Sequence, residues 1–195
     1  MSSPHQVRPS SRAPRADAAR NRSALLAAAR SAFATSGDDA SLEGIARQAG
    51  VGIGTLYRNF PTREDLVAAV YAAELDAVVA ASGHLLAADG PTTGLRAWLD
   101  RYAAFVAAKR GMAETVRAGS IAAAASTNRT RERVNGAIQA FLSAGAASGE
   151  LRGDVPADDV TTTLVGIFLA TRDADDDAQR MRLLDFLVEG LRRRD

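Results

Sequence analysis

The sequence predicts an all-α protein, with three short N-terminal helices joined by a long helix to a larger helical C-terminal domain. Hydrophobic residues make up 47% of the 195 residues, yet aromatics are only 5% and alanine and leucine dominate the rest, which favours helix over sheet. Apolar residues recur at helical spacing through most of the chain, and no alternating strand pattern survives anywhere. Gly37, Pro61, Gly111 and Pro156 punctuate the pattern at the distances expected of helix ends.

Each element follows from its own residues. A first helix over about residues 17–36 carries Leu25, Leu26, Ala29 and Phe33 on one face, and Gly37 ends it as a C-cap glycine would. Ser41 is a good N-cap for a second helix that turns Leu42, Ile45 and Ala49 inward. The third, about residues 53–59, is short and Pro61 stops it. Thr62 caps the fourth, with Asp65 three residues on as a variant capping box. That helix buries Leu66, Val70, Leu75, Val78 and Val79 and is expected to fade near Gly83.

Further on, residues 92–110 carry Leu95, Trp98, Leu99, Tyr102, Phe105 and Val106, and Gly111 ends or bends them. A short alanine-rich segment follows over 112–125, then 128–148 with Val134, Ile138, Phe141 and Leu142 on one stripe. Pro156 suits the first turn of the next helix, which holds Val160, Leu164, Val165, Ile167, Phe168 and Leu169. Residues 173–177 read as a loop, before a last helix with Met181, Leu184, Leu187, Val188 and Leu191.

Composition narrows the function classes. The absence of cysteine excludes disulfides and thiolate metal sites and suits a reducing cytoplasm. No stretch reaches the roughly 18–20 uninterrupted apolar residues of a membrane span, and the N-terminus lacks the apolar core of a signal peptide. The expectation is therefore a cytoplasmic protein without a membrane partner. Net charge is only +1, but residues 1–22 hold Arg8, Arg12, Arg15, Arg20 and Arg22 against Asp17 alone. Residues 1–16, with Pro4, Pro9 and Pro14, are expected to be a disordered basic arm, either a solvated tail or a strand laid along phosphates.

The most informative stretch is residues 41–60. Ala46 is small where a second helix must cross closely, Gly50 suits a turn needing a positive φ, and Val51 and Leu56 supply apolar plugs. This is the pattern of a helix-turn-helix, whose second helix lies in the major groove of DNA. The chemistry agrees. The hydroxyls of Thr55 and Tyr57 can donate to phosphates, and Arg58 can pair with guanine O6 and N7. Asn59 reads adenine or anchors the backbone, and both readings stay open. Arg47 is a phosphate contact or a solvated surface residue.

The run Ile45-Ala46-Arg47-Gln48-Ala49-Gly50-Val51, followed by Gly54-Thr55-Leu56-Tyr57-Arg58-Asn59-Phe60-Pro61-Thr62-Arg63-Glu64-Asp65-Leu66, closely resembles the signature of the TetR (tetracycline-repressor-like) transcriptional regulators. The likeness covers about residues 17–70. Residues 98–114, with Lys109-Arg110-Gly111, are faintly similar to one actinobacterial subgroup. The resemblance implies a DNA-binding domain over 17–65 and an effector-binding and dimerisation domain over 66–195. It also implies a homodimeric repressor on a palindromic operator, released by a small molecule. By position it puts Ser41, Arg47, Ile53, Gly54, Thr55, Tyr57, Arg58 and Asn59 at DNA, with Arg63 as a phosphate contact. Two departures blur the operator: Gly52 stands where the family often has serine, and Asn59 where histidine is more frequent.

In the second domain, Trp98, Tyr102 and Phe105, with Phe141, are core or the wall of an effector pocket. Arg117 meets a carboxylate effector or pairs with Glu114 or Glu132, and His84 reads as a helix-end surface residue. The cluster Asp173, Asp175, Asp176 and Asp177 lacks the alternation and glycine of a calcium loop, so no metal is expected, nor any cofactor. The last two helices are more apolar than one face needs. Leu164, Ile167, Phe168, Leu184, Leu187 and Leu191 are expected at a dimer interface, with Gly166 allowing close approach, against the alternative of intrachain core. With two histidines and no nucleophile–base spacing, an enzyme is not expected. A helical small-molecule carrier or enzyme without sequence-specific DNA binding is the alternative.

Overall fold

The computed structural model describes residues 12–110, 120–171 and 177–193. Among them are seven α-helices: α1 (Arg12–Ser36), α2 (Leu42–Gln48), α3 (Ile53–Asn59), α4 (Arg63–Arg110), α5 (Ser120–Ser148), α6 (Ala157–Ala170) and α7 (Asp177–Leu191). A single 3-10 turn, Gly37–Asp39, follows α1, and the one extended pairing among the described residues is an isolated bridge between Leu151 and Arg192. The fold is all-α. The chain divides into two compact units, and the division falls within α4, between Val70 and Tyr71.

In the first unit, α1 starts at Arg12, inside the segment expected to be a disordered arm. Pro14 then falls in the first turn, where a helix needs no backbone N–H partner. At the end of α1, Gly37 takes a positive φ of 54°. Ser41 caps α2, its Oγ accepting from the Gly44 N–H at 3.2 Å. Gly50, at φ 70°, makes the tight turn into α3, and the Val51 N–H donates to the Ala46 carbonyl across it at 3.0 Å. Thr62 and Asp65 form the reciprocal cap of α4: the Thr62 N–H donates to Asp65 Oδ2 and the Asp65 N–H to Thr62 Oγ1, both at 3.1 Å. Leu25, Ala29, Phe33, Ile45, Ala46, Leu56, Phe60 and Leu66 are buried together as this unit's core.

In the second unit, α4 runs past Gly83 and breaks only at Gly90, whose φ of 76° is followed by Pro91. A lone glycine costs a helix only about 1 kcal/mol, which the surrounding alanines and leucines tolerate. Proline at the start of the next segment enforces the break. An 18-residue window of α4 is apolar enough to match a membrane span by length and composition. Leu75, Val78, Ala81, Leu95, Trp98 and Leu99 of α4 pack into the unit's core. The indole Nε1 of Trp98 donates to the Val78 carbonyl at 2.8 Å, tying the two halves of α4 together.

Gly94 lets those halves close. A Cβ built there would lie 2.7 Å from the Leu85 carbonyl oxygen and 3.1 Å from the Phe141 ring. Backbone cannot yield as a side-chain tip does. Gly94→Ala is expected to lower stability in a urea melt by about 1–3 kcal/mol. Gly83→Ala, on an exposed face with nothing near the new methyl, should raise it by about 0.5–1 kcal/mol.

α5 packs on α6 and α6 on α7. Arg131 of α5 grips Asp158 of α6 through Nε at 2.6 Å and Nη2 at 2.8 Å, and Asn135 adds a third donor to the same carboxylate at 2.9 Å. These bonds, Arg131's first, hold the Asp158 carboxyl down at about 2. The chain after α7 folds back on the α5–α6 loop: the Arg152 N–H donates to the Leu191 carbonyl at 2.9 Å and the Arg193 N–H to that of Glu150 at 3.0 Å. Residues 1–11, Glu114, Arg117, Asp173, Asp175 and Asp176, on which sequence expectations fell, lie outside the described residues.

Candidate nucleic-acid interface

The two faces of α3 differ completely. Leu56 and the C-cap residue Phe60 are buried, and between them they fix which side points out. Ile53 (37% exposed) and Tyr57 (45%) stand on the outer side with Gly54 and Arg58. Tyr57 is therefore not core beneath the helix. A Cβ at Gly54 would meet nothing within 4 Å, so the backbone there is open to close approach. Ser41 and Arg47 are exposed on α2, while Thr55 and Asn59 are half-buried. The N-cap position of α3 is Gly52, and no side chain caps the helix there.

Arg58 and Asn59 bond back to their own helix. Arg58 donates through Nε to the Gly54 carbonyl and through Nη2 to Thr55 Oγ1, each at 3.1 Å. Asn59 donates through Nδ2 to the Thr55 carbonyl at 2.8 Å. That bond uses one Nδ2 hydrogen and leaves the other, with Oδ1, for a further partner.

Two arginines brace this surface. Arg22 of α1 lies over the Phe60 ring, its guanidinium carbon 4.4 Å from the centroid, and donates to the Asn59 carbonyl at 3.4 Å. It thus meets one of the carbonyls that a helix end leaves without a partner. Sequence reasoning counted Arg22 only as charge, because nothing local signals a contact across 37 residues of chain. Arg63 was expected at a phosphate. It is half-buried, donates through Nη1 to the Ala40 carbonyl at 2.6 Å and lies 5.2 Å from the Phe33 ring centroid. These contacts tie the start of α4 to the end of α1 and leave further donors of the guanidinium for a phosphate. Arg63→Ala is expected to destabilise the protein by about 1–3 kcal/mol in a thermal or urea melt, and Arg63→Lys to recover only part, since an ammonium lacks the planar fork.

Residues 25–70 match the family model for bacterial regulatory proteins of the tetR family, and residues 90–193 match that for the C-terminal domain of SbtR-like transcriptional regulators. A TetR transcriptional regulator from Streptomyces coelicolor is 43% identical over 89% of this chain and 99% of its own, with a TM-score of 0.77. A TetR regulatory protein from Mycobacterium vanbaalenii is 30% identical over 92% and 99%, with a TM-score of 0.73. The chain belongs to the TetR family of transcriptional regulators. SmeT, the repressor of the Stenotrophomonas maltophilia multidrug efflux pump SmeDEF, shares the fold at 19% identity, covering 88% of this chain and 90% of that one with a TM-score of 0.61. No curated protein matches.

TetR-family regulators bind DNA through the helix-turn-helix that α2 and α3 form here. The second unit holds the remaining expected residues. Trp98, Tyr102, Phe105 and Phe141 are all buried in its core. Trp98 and Tyr102 stack with centroids 5.4 Å apart, and Phe141 lies 6.3 Å from Trp98. Burial pushes the Tyr102 hydroxyl up to about 12, with Tyr71 adding to the effect and Arg131 opposing it. Among the described residues no three His, Asp or Glu side chains gather as a metal site would need.

For four of the six residues expected at a dimer interface, the structure takes the alternative of intrachain core. Leu164, Phe168, Leu184 and Leu191 are buried within the single chain, while Ile167 and Leu187 are half-buried beside that core. The exposed apolar residues of the same helices are Val165 and Leu169 on α6 and Met181 and Phe186 on α7. Both stripes of α6 are apolar, so periodicity alone could not say which one the chain itself covers.

Proposed function

We propose that this TetR-family regulator is a repressor that binds a palindromic operator as a homodimer and leaves it when a small molecule binds the second unit. The observation that carries the reading is the outward face of α3, where Tyr57 and Arg58 stand exposed beside a glycine backbone open to close approach. In the dimer, two such helices enter successive major grooves about 34–36 Å apart, one DNA turn. Ser41, Arg47, Ile53, Gly54, Thr55, Tyr57, Arg58 and Asn59 form the DNA face, with Arg63 beside it as a phosphate contact, and the protein works in the cytoplasm where that DNA is.

Dimerisation uses the outer faces of α6 and α7. The effector lodges against the aromatic cluster of Trp98, Tyr102, Phe105 and Phe141. Since α4 contributes residues to both units, its displacement links effector to DNA. The coupling requires that effector favour one state by about 1–3 kcal/mol.

Footprinting on the promoters of its own and neighbouring genes tests this. A protected palindrome, together with a reporter that rises when the regulator is deleted, supports the repressor. Equal binding to all sequences, with apolar ligands still bound, would point to a helical carrier instead.

A further inference from the structure

We infer that Thr55 sets base selectivity by positioning Arg58, over and above any contact its own hydroxyl makes with the DNA backbone. The inference rests on the reading of α3 as the helix that enters the major groove. Arg58 has five N–H donors in a planar fork. Its Nε and Nη2 form one side of that fork, and both are engaged on α3 itself, by the Gly54 carbonyl and Thr55 Oγ1 at 3.1 Å each. The other end, Nη1 with the second hydrogen of Nη2, takes no part in those two bonds. That end is a bidentate donor of the width that matches guanine O6 and N7.

Selectivity at such a pair depends on the approach of the fork. An unbraced arginine sweeps many rotamers and can settle on a phosphate or on any acceptor edge. Two bonds to fixed points of a helix remove most of that freedom before DNA arrives, and preorganisation strengthens the one geometry the fork already holds. The Gly54 carbonyl would be there whatever the side chains. The Thr55 hydroxyl is the part of the brace that sequence controls, one turn before Arg58 on the same face. Asn59 adds to this, because its Nδ2 bond to the Thr55 carbonyl holds the backbone turn that carries the hydroxyl.

The test uses the full chain and a duplex recovered by selection from a random-sequence pool with the wild-type protein. Each base pair of that duplex is then replaced in turn. Thr55→Val keeps the shape and removes the acceptor, and Thr55→Ser restores the hydroxyl. Thr55→Val should lose about tenfold in discrimination at one guanine, the order carried by a single bidentate pair, and little at other positions. Thr55→Ser should keep it. In an Arg58→Ala background, Thr55→Val should change discrimination no further, because the residue it acts through is gone. If Thr55→Val weakens every duplex equally, in both backgrounds, Thr55 is an independent backbone contact and the inference is overturned. If Arg58→Ala alone binds and discriminates as wild type does, the assignment of Arg58 as base reader fails, and this inference fails with it. Melting curves of the four variants check that each keeps the wild-type fold.

Discussion

Replacing Tyr57 and Arg58 together by alanine should abolish sequence-specific DNA binding while leaving the fold unchanged. Both side chains are exposed, and their neighbours Leu56 and Phe60 carry the packing of α3. Surface substitutions of this kind shift stability by no more than about 0.5 kcal/mol. The loss at DNA is far larger. A bidentate arginine contributes about 1–3 kcal/mol of base discrimination, and a dimer loses it in both half-sites. Tyr57 removes a phosphate-positioning hydroxyl as well. Affinity for the selected operator, read by fluorescence anisotropy at fixed salt, should fall by about 100-fold or more towards the nonspecific level. Binding within a few-fold of wild type would remove α3 from the interface. Leu56→Ala would be a poor substitute for this experiment. A buried leucine costs about 2–5 kcal/mol when truncated, so lost binding would report unfolding.

The reading head was legible because its constraints are local. Ala46, Gly50 and Leu56 must be small, turn-forming and apolar within a dozen residues of each other, and the structure uses each of them so, down to the positive φ at Gly50. The caps at Ser41 and at Thr62 with Asp65 were legible for the same reason: capping is a contest among neighbours in sequence. What escaped were contacts between elements. Arg63 reads from the sequence only as a phosphate contact, yet it has partners in its own chain, the Ala40 carbonyl and the Phe33 ring, 23 and 30 positions earlier. The end of α4 was misjudged in the other direction. Gly83 looked like a terminus, but a single glycine is a small penalty, and Gly90 with Pro91 is where the backbone cannot continue.

The largest effect in the second unit is expected from the outer faces of α6 and α7. A scattered exposed leucine means little. Here Phe186 is 76% exposed and Leu169 65%, with Val165 and Met181 partly exposed on the same two helices. Gly166 and Gly190 are also on exposed positions, with nothing within 4 Å of a Cβ built at either. In the proposed dimer, burying a phenylalanine and a leucine from each protomer gains about 1.5–3 kcal/mol per side chain before the cost of association. Phe186→Asp with Leu169→Asp forfeits that gain and would bury four carboxylates without partners. The variant should sediment as a monomer with a wild-type helical spectrum, and its operator affinity should fall by about 100-fold or more, because the second half-site is no longer delivered with the first. Leu164→Ala supplies the contrast from the inner stripe. Leu164 is fully buried, so its truncation should lower stability by about 2–5 kcal/mol in proportion to the cavity it leaves, without a matching change in the dimer's dissociation constant. If the double aspartate variant still sediments as a dimer, the interface lies elsewhere on the chain. If it unfolds, the protomer depends on its partner for stability.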